Sequence, residues 1–211
     1  MLIKFLVTKI SLLALLAISS LPVLFTQSAS AAPTARVSSG TTDVSLSSVF
    51  INSVSGLGIG VSLSSPGRQR RGLLSFPIRT GQLDTVTLKG EIFHEGGIRL
   101  SNGAVAVDLL NFVIDSSAAG APAPVLTGLV RLNNSVVGRI PLFTLTLKDP
   151  IVSAFGAFLS LPNTAVTLRP EAATALNQAF SVNAFTSGFN VGTAFVSAKL
   201  SYSFNTRSLR Y

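Results

Sequence analysis

Short runs in which apolar side chains alternate with small or polar ones, each stopped by Gly, Pro or Asn, constrain this chain more than any other feature. Leu57, Ile59, Val61 and Leu63 alternate with Gly58, Gly60 and Ser62 until Pro66-Gly67 ends the run. Leu73 to Ile78 predicts a second strand, closed by Thr80-Gly81. Thr85 to His94 predicts a third, and Gly96-Gly97 a turn into Ile98 to Leu100. Asn102-Gly103 is a strong hairpin signal before Ala104 to Leu109 and Phe112 to Ile114. Residues 116–124, rich in Ser, Ala and Pro, make a loop. Val125 to Leu132 and Val136 to Leu147 read as a hairpin joined by Asn133-Asn134-Ser135. Asp149-Pro150 breaks the sheet before Ile151 to Leu161 and Thr164 to Leu168, and Ala194 to Phe204 is a long last strand.

One helix interrupts the pattern at residues 170–180. Pro170 suits a first helical position and Glu171 suits the positive end of the helix dipole. Ala172, Ala175, Leu176, Ala179 and Phe180 then fall at steps of three and four, so one face is apolar and must pack on the sheet. The expected fold is an all-β, antiparallel β-sandwich of about ten strands with this short helix against it. The same alternation, with Tyr211 at the end, also suits a small outer-membrane β-barrel. Such barrels carry girdles of Tyr and Trp, and this chain has two Tyr and no Trp.

The N-terminus reads as an export signal, not as part of the fold. Lys4 and Lys9 precede an apolar stretch from Ile10 to Phe25, and Ala29-Ser30-Ala31 supplies the small residues of a cleavage site. The stretch is broken by Ser19, Ser20 and Pro22, and is shorter than the ~20 residues of a membrane-spanning helix. Removal of residues 1–31 leaves residues 32–211 as one domain, placed in the periplasm or at the cell surface. There is no cysteine, so thiol catalysis, iron–sulfur clusters and thiolate zinc sites are excluded.

The formal charge of +8 loses two with Lys4 and Lys9 and stays positive. An anionic envelope surface suits that charge, whereas no nucleic-acid motif is present. Its one local cluster, Arg68, Arg70 and Arg71 between Pro66-Gly67 and Gly72, reads as an exposed, flexible basic loop.

Catalytic chemistry finds little support. His94 is the single histidine, and no Gly-x-Ser-x-Gly elbow accompanies it. Glu91 and Glu95 stand about 13 Å apart on an extended strand, beyond the spacing of roughly 5 to 9.5 Å that paired glycosidase carboxylates need. The other acids are scattered, and no Asp-rich calcium loop exists. His94 beside its Gly-Gly turn is either a ligand contact at a strand end or simply the solvent-facing end of that strand.

A family resemblance sharpens this segment. Phe76-Pro77-Ile78, Gly81-Gln82-Leu83-Asp84, Leu88-Lys89-Gly90 and His94-Glu95-Gly96-Gly97-Ile98-Arg99-Leu100 resemble the HtaA-type domain of secreted and cell-surface bacterial proteins. So do Leu110 to Asp115, Gly138-Arg139-Ile140-Pro141-Leu142, and Leu168 to Ala173 leading to Leu176-Asn177, over residues 56–200 in all. The resemblance implies a β-rich extracytoplasmic module that, in its best-known members, binds haem through a tyrosine supported by a nearby histidine. His94 matches that histidine, within Gly90 to Gly96. The tyrosine does not carry over, since Tyr202 and Tyr211 at the far end are the chain's only two. On this resemblance His94 is the candidate haem contact, with Phe93 or Phe112 stacking on the porphyrin. The implied function is a non-enzymatic binding module for haem or another planar apolar ligand. The alternative is an outer-membrane barrel or an envelope structural protein without a small-molecule ligand.

Overall fold

Inward-facing apolar rows on eight strands meet around a single core, and the sheet they form closes on itself. A computed structural model of the chain describes residues 34–153 and 157–202. The expected export signal at 1–31 and its cleavage site lie outside the described residues, as do Phe204 and Tyr211.

The strands are β1 (Thr34–Leu46), β2 (Gly60–Ser64), β3 (Arg68–Arg70), β4 (Leu73–Asp84), β5 (Gly90–His94) and β6 (Gly97–Ser101). They continue with β7 (Ala106–Asp115), β8 (Val125–Leu132), β9 (Ser135–Thr146), β10 (Ile151–Val152), β11 (Phe158–Leu168) and β12 (Asn190–Ser201). Two helices, α1 (Ser48–Gly56) and α2 (Pro170–Phe180), complete the described fold. Antiparallel pairing runs β7-β5-β4-β1-β12-β11-β9-β8, and β8 pairs back onto β7 through Leu126 opposite Ile114. The architecture is therefore a closed eight-stranded barrel, with β2 and β6 flaring off β7, β3 on β4 and β10 on β11. This corrects the expected sandwich. Both arrangements bury alternate residues of each strand, so alternation alone does not separate them; the β7–β8 pairing does.

The barrel is filled, not hollow to lipid. Along β12, Ala194, Val196, Ala198 and Leu200 are buried while Ser197, Lys199 and Ser201 are exposed. Arg36 and Ser45 face outward from β1 in the same way. A membrane barrel places its apolar band outside, so this polarity opposes the outer-membrane reading. No helix among the described residues is long and apolar enough to cross a membrane.

Local chemistry explains where the elements differ from expectation. Ser47 caps α1 by accepting from the Phe50 amide at 3.0 Å, and Phe50 and Val54, four apart, enter the core. No element is expected at 48–56 from the sequence pattern, although Ser47 is a good capping residue. The strand expected at 85–89 is a turn: the Asp84 carboxylate accepts from the amides of Val86 (2.7 Å) and Thr87 (2.8 Å). Thr80-Gly81 does not end a strand, as β4 runs through it, and the segments split at Leu110 and at Leu161 are single strands with irregular register. Arg68 and Arg70 lie on β3, hairpinned to β4 through Arg71-Gly72, whose φ values of 50° and 82° are those of a tight two-residue turn. The basic cluster is thus a strand and turn instead of a loop, and it is exposed as expected. The Asn133-Asn134 turn, with Ser135 opening β9, and the Pro170–Phe180 helix match their sequence signals.

Candidate functional site

The period of two in β5 places Ile92 and His94 inside the barrel and Glu91 and Phe93 outside. Gly96-Gly97 does not reverse the chain there. β5 and β6 lie end to end along β7, and the strand kinks between them. Gly96 has φ +81°, and a Cβ on it would stand 2.6 Å from the Gly67 amide nitrogen and 2.8 Å from the Ser64 carbonyl oxygen. Only glycine fits that close approach. The Asn111 amide donates to the Gly96 carbonyl at 2.8 Å, locking the kink onto β7.

His94 is consequently buried, at 4% exposure, and does not face solvent. Its Nδ1 lies 3.3 Å from the Phe112 carbonyl oxygen, which can only accept, so Nδ1 carries the proton. Nε2 is then an acceptor, and the Thr42 hydroxyl donates to it at 2.8 Å. Burial drives the imidazole's pKa down from 6.5 to about 4, against the opposing effect of the Phe112 carbonyl. The ring is therefore neutral at physiological pH, with both nitrogens engaged.

Thr42, His94 and Thr164 are the polar residues around an otherwise apolar interior cavity of about 60 Å³, walled by Phe76, Phe112, Leu145 and Val196 among others. Phe112 packs edge-on against Phe76, with ring centroids 5.3 Å apart. Sites for drug-sized ligands occupy about 300–1,000 Å³, so a porphyrin does not fit this space. Nor does the donor set fit haem iron. Among the described residues the one tyrosine, Tyr202, lies just beyond the end of β12, and His94 has no free nitrogen.

The opposite face of the same strand is open. Phe93, 36% exposed, forms one wall of a groove of about 480 Å³, shared with Pro66, Arg79, Glu95, Asn111, Val113 and Arg139, with His94 in its floor. Arg139 is held by neutral partners: Nη2 donates to the Asn111 carbonyl at 2.9 Å and Nη1 to the Thr127 hydroxyl at 3.2 Å. Arg79 stands 3.8 Å from Glu95, both well exposed. Beyond Phe93 the surface continues as a second cleft with Arg36, Gln82 and Lys89 on its walls.

The three residues suggested by the resemblance are thus split. His94 and Phe112 meet inside, while Phe93 points away from both. None of Arg68, Arg70 and Arg71 lines the cavity or the groove. Among the described residues no three acidic or histidine side chains converge as a metal site. Thr42 lies on β1, a strand that the sequence analysis does not name, and an irregularity between Val37 and Ser39 switches its inward row from odd to even positions. Sequence reasoning also missed Arg79 and Arg139, which pairing alone brings to one groove.

No family model matches the sequence, and no curated protein matches it. Solved structures do. The C-terminal domain of HtaA from Corynebacterium glutamicum superposes with a TM-score of 0.62 at 20% identity, covering 79% of this chain and 99% of that one. A domain-swapped dimer of a histidine-to-alanine variant of the same domain gives a TM-score of 0.54 at 21% identity, over 72% of this chain and 91% of that one. The N-terminal domain of HtaA from the same organism gives 0.54 at 13% identity, over 78% and 98% of the two chains. The barrel with its flared strands and two helices is therefore the fold of an HtaA-type domain.

Proposed function

We propose that this chain is a non-catalytic, extracytoplasmic binding module that takes a planar apolar ligand with acidic edges, the class to which haem belongs, in the groove beside Phe93. The carrying observation is the pairing of an exposed aromatic face with Arg139, whose guanidinium is fixed by neutral partners and so keeps its charge for a ligand. A phenyl ring and the Val113 side chain suit the face of a macrocycle, and guanidinium groups suit carboxylates at its rim. The exposed Arg68, Arg70 and Arg71 hairpin adds positive charge suited to an anionic envelope surface. The apolar leader at residues 1–31 supports the extracytoplasmic address.

The non-catalytic reading rests on the state of the ionisable groups. His94 is a neutral interior brace, Asp108 pairs with Arg99 at 3.2 Å, and Glu171 pairs with Arg169 at 3.3 Å. No step is assigned to iron, for which these residues offer no ligand. Titration of the protein with haemin and with metal-free protoporphyrin tests the proposal. Both should saturate with similar affinity, and Phe93→Ala or Arg139→Ala should weaken each by about tenfold. If neither binds, or if haemin alone binds with a Soret shift that His94→Gln abolishes, the proposal fails.

A further inference from the structure

A larger apolar space than the one around His94 is present elsewhere in the described fold. It lies where α2 crosses the ends of β7, β8 and β9, a cavity of about 230 Å³ between the helix and Leu109, Val130 and Leu142. The helix is anchored at its start, where the Arg169 amide donates to the Leu142 carbonyl at 2.9 Å. It turns Ala172, Ala175 and Ala179 toward the strands beside Leu176, so three small side chains stand where larger ones would narrow the gap. Protein interiors rarely leave voids larger than a water molecule. This one is nearly four times the volume of the cavity at His94.

Its chemistry is uniform. Gln178 is the one polar side chain in the lining, with no charged group and no partner for an ordered water network. Val137, 62% exposed on β9, forms an apolar lip at the opening. An eight-stranded barrel is wide enough to hold one small ligand among its side chains. The geometry points to a binding site for a single acyl chain, inserted between α2 and the strand ends with its head group left at the mouth near Gln178. Walls that are aliphatic apart from Phe143 fit methylene groups, and the absence of charge in the lining leaves the head group to solvent. The site is separate from the groove at Phe93 and does not depend on what that groove binds.

The full chain is titrated with the fluorescent fatty acid cis-parinaric acid, and bound probe is competed with dodecanoate and with dodecanol. Saturable binding reversed by both competitors is expected, since the chain carries the recognition. Reversal by dodecanoate alone would place the recognition at the carboxylate and overturn the proposal. Ala175→Leu and Ala179→Leu fill the space and should weaken the probe by about tenfold or more, while Arg139→Ala leaves it unchanged. Absence of saturable binding, or binding untouched in folded Ala175→Leu and Ala179→Leu proteins, overturns it as well. Where a variant does not fold, the wild-type melting temperature decides: dodecanoate raises it if the cavity takes the chain and leaves it flat otherwise.

Discussion

The barrel interior has two contrasting regions. Around His94 it is closed: Phe76 and Phe112 interlock, Thr42 and the Phe112 carbonyl hold both imidazole nitrogens, and about 60 Å³ remains. Beneath α2 it is open: alanines face the strands, no charge is present, and about 230 Å³ remains. The difference shows what burying a polar group demands. An unpaired buried imidazole would be strongly destabilising, so its partners must be built in and packed close, which leaves no room for a ligand. Where nothing polar is buried, packing can be incomplete without leaving a hydrogen bond unmade.

Three changes break or sharpen this contrast, from the largest effect down. Phe112→Ala removes a ring from the closed region and should cost about 3–5 kcal/mol in denaturant unfolding. A loss much under ~2 kcal/mol would mean that the region around His94 is no better packed than the one under α2.

Acid should act on the closed region first, through His94; nearer pH 4 the Glu171 carboxylate at the start of α2, held below its usual range by Arg169, adds to the loss. The unfolded chain takes up the His94 proton near pH 6.5, the folded chain only near 4, so the unfolded state binds more protons between these values. Stability should be full above about 6.5, fall as the pH drops toward 4, and lose on the order of 3 kcal/mol in all. Melting curves across that range should show this slope, and His94→Gln should flatten it. An unchanged slope in the variant would mean that His94 is not the group being titrated.

The smallest effect belongs to the open region. Ala175→Leu adds apolar surface into existing space and should leave stability unchanged or raise it by about 0.5–2 kcal/mol. A loss beyond ~1 kcal/mol would mean that the space beneath α2 is tighter than its volume suggests.

Much of the fold is written locally. The alternation of β12, the Asn133-Asn134 turn and the Pro170–Phe180 helix each follow from neighbours within a few residues, and each is found where the sequence places it. Ser47 three residues before Phe50, with Val54 four further on, is a readable local signal for α1. The site was far less legible. His94 matches a histidine of the resembling family, yet whether it faces in or out depends on the register of β4 against β5, where Ile78 meets it.

The sequence by itself determined an all-β chain with a helix at 170–180, a chain without thiol chemistry, and a single histidine. These are properties of composition and of short-range periodicity, which the tertiary context does not change. Only the tertiary structure decided that the sheet closes into a barrel, that Thr42 meets His94 across 52 positions, and that Arg79 and Arg139 share a groove. Those outcomes depend on pairing between distant strands. A one-residue slip in such a pairing, like the irregularity after Val37, sends every following side chain to the other face.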